Sequence, residues 1–292
     1  MRMQLSIIIN FYNMRREAAR TLFSLSREYQ RDIEEIEYEV IVIDNGSPHA
    51  LDRNEVEKFG SEFKYRYFQA ANASPCHAMN AAIQEARGDY VMCCIDGARI
   101  LSPGIIHYAL KSAQLYSDPF VYTLGMHLGL EPQNISIEQG YNQLIEDQLL
   151  GSIDWQNDGY LLFDVSSVAL SSKNGFFSEL SESNCFVIKR SCLIDVGGFD
   201  EQFTSAGGGL VNLDLFNRIH AHQYFTPVML LGEATFHQFH GGVATNVSMN
   251  NHPWPVMEQE YQRIRNQPYA TVHRPPVYFG HLPEQCRRFL NA

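Results

Sequence analysis

Three polar residues stand at the ends of apolar runs: Asn10 after "LSIII", Asp44 after "YEVIVI" and Asp96 after "YVMCCI". A lone carboxylate in such a place can ligate a cation, accept a hydrogen bond from a hydroxyl, or do no more than cap a turn. Taken singly, each is readable as a turn residue, because Asp and Asn side chains bond the backbone that follows them. Taken as a set they favour a crevice, since ligands of a parallel α/β sheet bind outside the carboxyl ends of its strands. Other reactive types lie along the chain. "FHQFHGG" carries His237 and His240 ahead of two glycines. His77 follows Ser74-Pro75 at a helix start that could attract an anion, though a half-exposed structural histidine is the plainer reading. Arg99, three residues from Asp96, could pair with it, reach a phosphate or face solvent.

The elements needed to hold these residues are legible. "LSIIIN" and "YEVIVID" are continuous apolar runs, as expected of strands covered on both faces. "KYRYFQ" alternates in polarity and belongs nearer a sheet edge, and 90–95 is a further buried strand. Between them, "RREAARTLFSLSREYQ" places Ala19, Leu22, Phe23 and Ser26 on one helical face. Ser74-Pro75 starts a helix with Met79, Ala82, Ile83 and Ala86 inward and Gly88 as its stop; Ser102-Pro103 starts another with Ile105, Ile106, Ala109, Leu110 and Ala113 inward. Strands alternating with helices predict an α/β fold with a mostly parallel central sheet flanked by helices. After residue 121 the pattern loosens. One helix is expected at about 137–150, then irregular Gly/Ser/Asn-rich chain, a strand at "CFVIKR", a glycine triplet leading into a helix, and a strand at "PVMLLG". The expected organisation is one domain over 1–250, with a first half to 125 and a second from 126, and an extension over 251–292 packed on it with one helix near 256–266.

Bulk numbers narrow the class. The chain has 292 residues, 45% of them hydrophobic, enough for a sizeable core. Lys and Arg total 22 against 33 Asp and Glu, a net charge of -11, which argues against nucleic acid as a partner. No apolar run is long enough for a transmembrane segment. The six cysteines form no C-x-x-C pair and read as buried, reduced thiols; adjacent Cys93 and Cys94 should point to opposite sheet faces. These features lead to the expectation of a cytoplasmic protein.

Four stretches, "LSIIINFYNMRREAARTLFSL", "YEVIVIDNGSP", "GDYVMCCIDGARILSPG" and "CFVIKRSCLIDVGGFDEQF", resemble in that order the family 2 glycosyltransferases. The resemblance implies a GT-A type nucleotide-diphospho-sugar transferase fold. It also implies inverting transfer of a sugar from a nucleotide-diphosphate donor to an acceptor hydroxyl on a glycan or other molecule, with a divalent cation, Mn²⁺ or Mg²⁺. By the same resemblance Asp44 contacts the nucleotide base, Tyr12 and Asn13 lie in a loop against the nucleotide, and Asp96 is the first aspartate of a D-x-D signature that holds metal and ribose. His240, rather than His237, is the implied late metal ligand. Some positions depart from the family. The signature here is Asp96-Gly97-Ala98, without its second carboxylate, and "GGGLVNLD" replaces an expected Glu-Asp pair, with Asn212 where an acid might stand. The Q-x-x-R-W motif of processive synthases is absent, so one sugar per encounter is expected.

A transfer of this kind needs a base for the acceptor's proton. Asp214 is one candidate, although its i,i+4 spacing from Arg218 also fits a plain ion pair. Glu182, among serines and an asparagine ahead of a strand, is the other. The missing carboxylates also leave open a degenerate fold that binds a nucleotide or glycan without turnover.

Overall fold

The computed structural model describes residues 2–69 and 72–290. Its first half runs β1 (Leu5–Phe11), α1 (Arg15–Ser24), β2 (Tyr38–Asp44), α2 (Arg53–Glu57), β3 (Phe63–Tyr67), α3 (Cys76–Glu85), β4 (Tyr90–Cys94), β5 (Arg99–Leu101) and α4 (Ile105–Ala113). The second half adds β6 (Pro119–Leu128), α5 (Gln133–Ser136), α6 (Gln143–Gly151), β7 (Ser166–Val168), β8 (Cys185–Lys189) and α7 (Arg190–Asp195). It closes with α8 (Val211–Ala221), β9 (Thr226–His237), α9 (Trp254–Arg265) and β10 (Val277–Gly280).

Among the described residues ten strands join one sheet, in the order β10-β9-β6-β8-β4-β1-β2-β3, with β5 against β9 and β7 against β6. β1 pairs in parallel with β2 and β4, β2 with β3, and β9 with β6 and β10; β8 runs antiparallel to both of its neighbours. The sheet is thus mostly parallel, and β3 lies at its edge as the alternating "KYRYFQ" predicts.

Both faces are covered, which is why β1 and β2 are apolar at nearly every position. Successive side chains enter different cores: Ile8, Ile41, Ile43 and Cys93 go to one, and Ile7, Ile9, Val40, Val42 and Cys94 to the other. All six cysteines are free.

The inward faces of α3 and α4 are those expected. Gly88 acts by close approach: a Cβ there would lie 2.5 Å from the Ser6 backbone nitrogen. The inward face of α1 is rotated from the apolar one. Glu17, Ala18, Thr21 and Leu22 are buried while Ala19 is exposed, because Thr21 Oγ1 donates to the Gly97 carbonyl at 2.7 Å. The helix expected at 137–150 is broken by Gly140, whose φ of 90° ends a 3-10 turn before α6 begins. β5 intervenes ahead of α4, so that helix begins at Ile105, later than Ser102-Pro103 suggests. The expected extension supplies β10 to the sheet, and Cys286 and Phe289 to the core. Among the described residues no helix is long and apolar enough to cross a membrane.

Candidate active site

Asp96 sits in the turn between β4 and β5. It is a turn residue, since its Oδ1 accepts from the Ala98 backbone N–H at 3.1 Å, but it is more than that. Antiparallel pairing of β5 with β9 sets Arg99 opposite His237, which brings the last residue of β9 beside the carboxylate. His237 Nε2 lies 3.2 Å from Asp96 Oδ2, and His240 Nε2 lies 3.8 Å from Oδ1 and 3.2 Å from His237 Nε2. Their candidate ligand atoms all fall within 4.8 Å of one another. Both histidines therefore converge on Asp96, and the buried His237, ranked second in the sequence, lies nearer to it than His240. Arg99 is buried and donates from Nε to Asp96 Oδ2 at 3.2 Å, which excludes the solvent-facing reading.

Burial opposes ionisation of Asp96, but His237, Arg99 and His240 outweigh it and hold the carboxyl well below its ordinary range. Burial likewise pushes the His237 imidazole down to about 4, against the opposing pull of the Asp96 carboxylate. Its Nδ1 lies 2.7 Å from Gln133 Oε1, an acceptor, so Nδ1 carries a proton and Nε2 is the nitrogen that faces the carboxylate. Two imidazole nitrogens and a carboxylate thus converge as candidate ligands. These residues fit a divalent cation by that donor chemistry, and the nitrogen content suits Mn²⁺ better than Mg²⁺.

Gly97 keeps the Asp96 turn close to β1. A Cβ there would stand 2.5 Å from both the Asn10 carbonyl and the Phe11 ring. Asn10 donates from Nδ2 to the Ile95 carbonyl at 3.3 Å, and its buried Oδ1 has no protein partner.

The β1 and β2 turns lie together on the same sheet edge. Asn13, at φ 54°, donates its backbone N–H to Ser47 Oγ at 2.8 Å, and Tyr12 beside it is 50% exposed. Asp44 lies at the end of β2 beneath this turn. It is 0% exposed, and its oxygens accept from the backbone N–H groups of Ser47 and Leu51 at 2.9 and 2.8 Å, so it shapes that turn from beneath.

The two candidate bases part company. Asp214, 1% exposed, is clasped by Arg218 at 2.8 Å and by Arg265 at 2.6 and 2.7 Å. Both of its oxygens are held by guanidinium groups. Glu182 is half-buried and accepts from Asn212 Nδ2 at 3.3 Å, while Asn212 also donates to the Ser183 carbonyl at 3.0 Å. His77 is exposed and pairs with Glu201 at 3.2 Å.

Residues without a sequence signal complete the site. Asn246 Oδ1 accepts from the backbone N–H groups of His240, Gly241 and Gly242 at 3.1, 3.0 and 2.9 Å, fixing the loop that carries His240. Buried Glu146, pushed up to about 7 by burial, accepts from the Phe239 N–H at 2.6 Å.

The fold is similar to that of S. aureus TarS, with a TM-score of 0.54 at 16% identity over 81% of this chain and 37% of the TarS chain. TarS 1-349 in complex with UDP-GlcNAc gives 0.53 at 16% identity, covering 81% and 59%. The complex with UDP gives 0.52 at 16% identity, covering 80% and 60%. This chain thus spans between 37% and 60% of those structures' length, and at such identity the likeness concerns the GT-A fold alone. No curated protein matches the sequence. The profile of the family described as "Glycosyltransferase like family 2" matches residues 6–242, and on that match the chain belongs to this family.

Proposed function

We propose that the protein transfers a sugar from a nucleoside-diphosphate donor to a hydroxyl of a glycan or other acceptor, with inversion and one sugar per encounter, in the cytoplasm. The observation carrying this reading is the convergence of Asp96, His237 and His240 beside the turns that follow β1 and β2. UDP-sugars are the first donors to try, given the UDP-GlcNAc complex of the structurally similar TarS.

Asp96, His237 and His240 would hold Mn²⁺, which when bound offsets the charge of the departing diphosphate. The lost second D-x-D carboxylate is made good by a second imidazole. Tyr12 offers an exposed ring face for the base, and Asn13 and the Asp44-shaped turn border it. Glu182 serves as the base: it takes the proton of the acceptor hydroxyl as that oxygen bonds to the anomeric carbon and the bond to the diphosphate oxygen breaks. Asn212 orients Glu182 and cannot itself take a proton.

The test is calorimetric titration of UDP and GDP, with and without Mn²⁺, into wild type and Asp96→Ala. Metal-dependent binding of one nucleotide, lost in the variant, supports the reading and names the donor class. Binding that persists without sugar turnover for any acceptor would favour a degenerate fold, and no binding would overturn both.

A further inference from the structure

We propose that Gln133, on α5, is a positioning residue: it dictates which ring nitrogen of His237 faces Asp96 and, through Asn246, fixes the loop bearing His240. This rests on the metal reading above. Gln133 is 0% exposed, and every polar atom of its side chain is engaged. Its Nε2 donates to the carbonyls of Leu128 at 3.2 Å and His237 at 3.0 Å, which leaves no freedom to exchange nitrogen for oxygen. Its Oε1 therefore points at His237 Nδ1 and Asn246 Nδ2, both at 2.7 Å.

An amide oxygen can only accept, so His237 must carry a proton on Nδ1, which leaves Nε2 as the ring nitrogen that faces Asp96 and would take the cation. The neighbouring ring does not compete for this role. His127 Nδ1 accepts from the Gln133 backbone N–H at 2.9 Å, so its own proton is on Nε2. The same Oε1 anchors the amide of Asn246, whose oxygen gathers three consecutive N–H groups from His240 to Gly242. One buried amide pair thus sets the ring state of one histidine and the backbone of the other. Outer partners of this kind typically change metal affinity about 10- to 100-fold when removed.

The experiment uses the full chain and two readouts. Ring ¹⁵N NMR of the metal-free protein, with His237 assigned by comparison with His237→Asn, should show the Nδ1–H form. Calorimetric titration with Mn²⁺ alone should show affinity falling about 10- to 100-fold in Gln133→Leu. Gln133→Glu keeps an acceptor for the same proton, but as a carboxylate it cannot donate to the carbonyls of Leu128 and His237, so it should keep the proton on His237 Nδ1 while Mn²⁺ affinity falls. A His237 without a proton on Nδ1 in the wild type would overturn the inference, as would a folded Gln133→Leu with unchanged Mn²⁺ affinity. If Gln133→Leu does not fold, the wild-type ring state and Gln133→Glu decide the matter. A wild type that shows the Nδ1–H form yet binds no Mn²⁺ would sink the metal reading while supporting the role of Gln133 in ring state.

Discussion

Arg265 lays two donors on the carboxylate of Asp214, Nε to Oδ1 at 2.6 Å and Nη2 to Oδ2 at 2.7 Å, and so ties α9 to α8. The pair is buried on the Asp214 side, and Arg265 also reaches Asp200 at 2.7 Å. Asp214→Ala would leave two arginines without their shared anion. The expected cost is about 3 kcal/mol, the low end for a broken buried pair because each guanidinium keeps some contact with water. Thermal denaturation should show the melting point fall by about 5 °C or more. Glu182→Gln should melt like wild type but lose roughly 100- to 10,000-fold in kcat, the usual share of a general base. The reverse pattern would return the base role to Asp214.

Removing either histidine should weaken the cation site by different routes. His237→Ala deletes a buried ligand and leaves Gln133 Oε1 short of one donor, so it should cost more Mn²⁺ affinity than His240→Ala. Mn²⁺ titration followed by electron paramagnetic resonance checks the order. Dialysis against a chelator should abolish nucleotide binding in wild type and leave the fold intact, as read by circular dichroism.

Gly97→Ala places a methyl group where the Asn10 carbonyl and the Phe11 ring already stand. Because the obstacle is backbone as well as side chain, the turn must move. A loss of about 1–3 kcal/mol is expected from overpacking, together with weaker Mn²⁺ binding as Asp96 is displaced. Denaturant melts and metal titration of the same variant test both halves.

Glu233, on β9, gives the pH dependence a sign. Burial pushes its carboxyl up to about 7, only partly countered by hydrogen bonds from Ser102, Tyr160 and the Gly104 N–H. A folded-state value above the unfolded one means that the native state binds the extra proton. The contribution is fully present below about 4.5 and is lost as pH rises through about 7, roughly 3 kcal/mol in all. Glu146 shifts in the same direction and leaves a residual slope. Denaturant melts from pH 5 to 8 should show wild type losing stability more steeply than Glu233→Gln, with Tyr29, Tyr108, Tyr160, Arg31, His281 and Cys286 as the nearby titratable or charged groups.

The sequence by itself determined β1 to β4, α1, α3 and α4 in the first half, and with them the delivery of Asp96 to a sheet edge, but not α2 or β5. Those signals are local: an apolar run covered on both faces, a proline at a helix start, an apolar stripe repeating every three to four residues. The sheet order, β8 running against its neighbours, and the reach of β9 to His237 came only with tertiary structure. The inward face of α1 escaped the apolar pattern because Thr21 turns inward for a hydrogen bond to Gly97, which lies far along the chain. The same reason hid the rest of the site. Arg99 meets His237, Gln133 meets Asn246, and Asp214 meets Arg265 by pairing residues distant in sequence, and packing chooses such partners where local periodicity cannot.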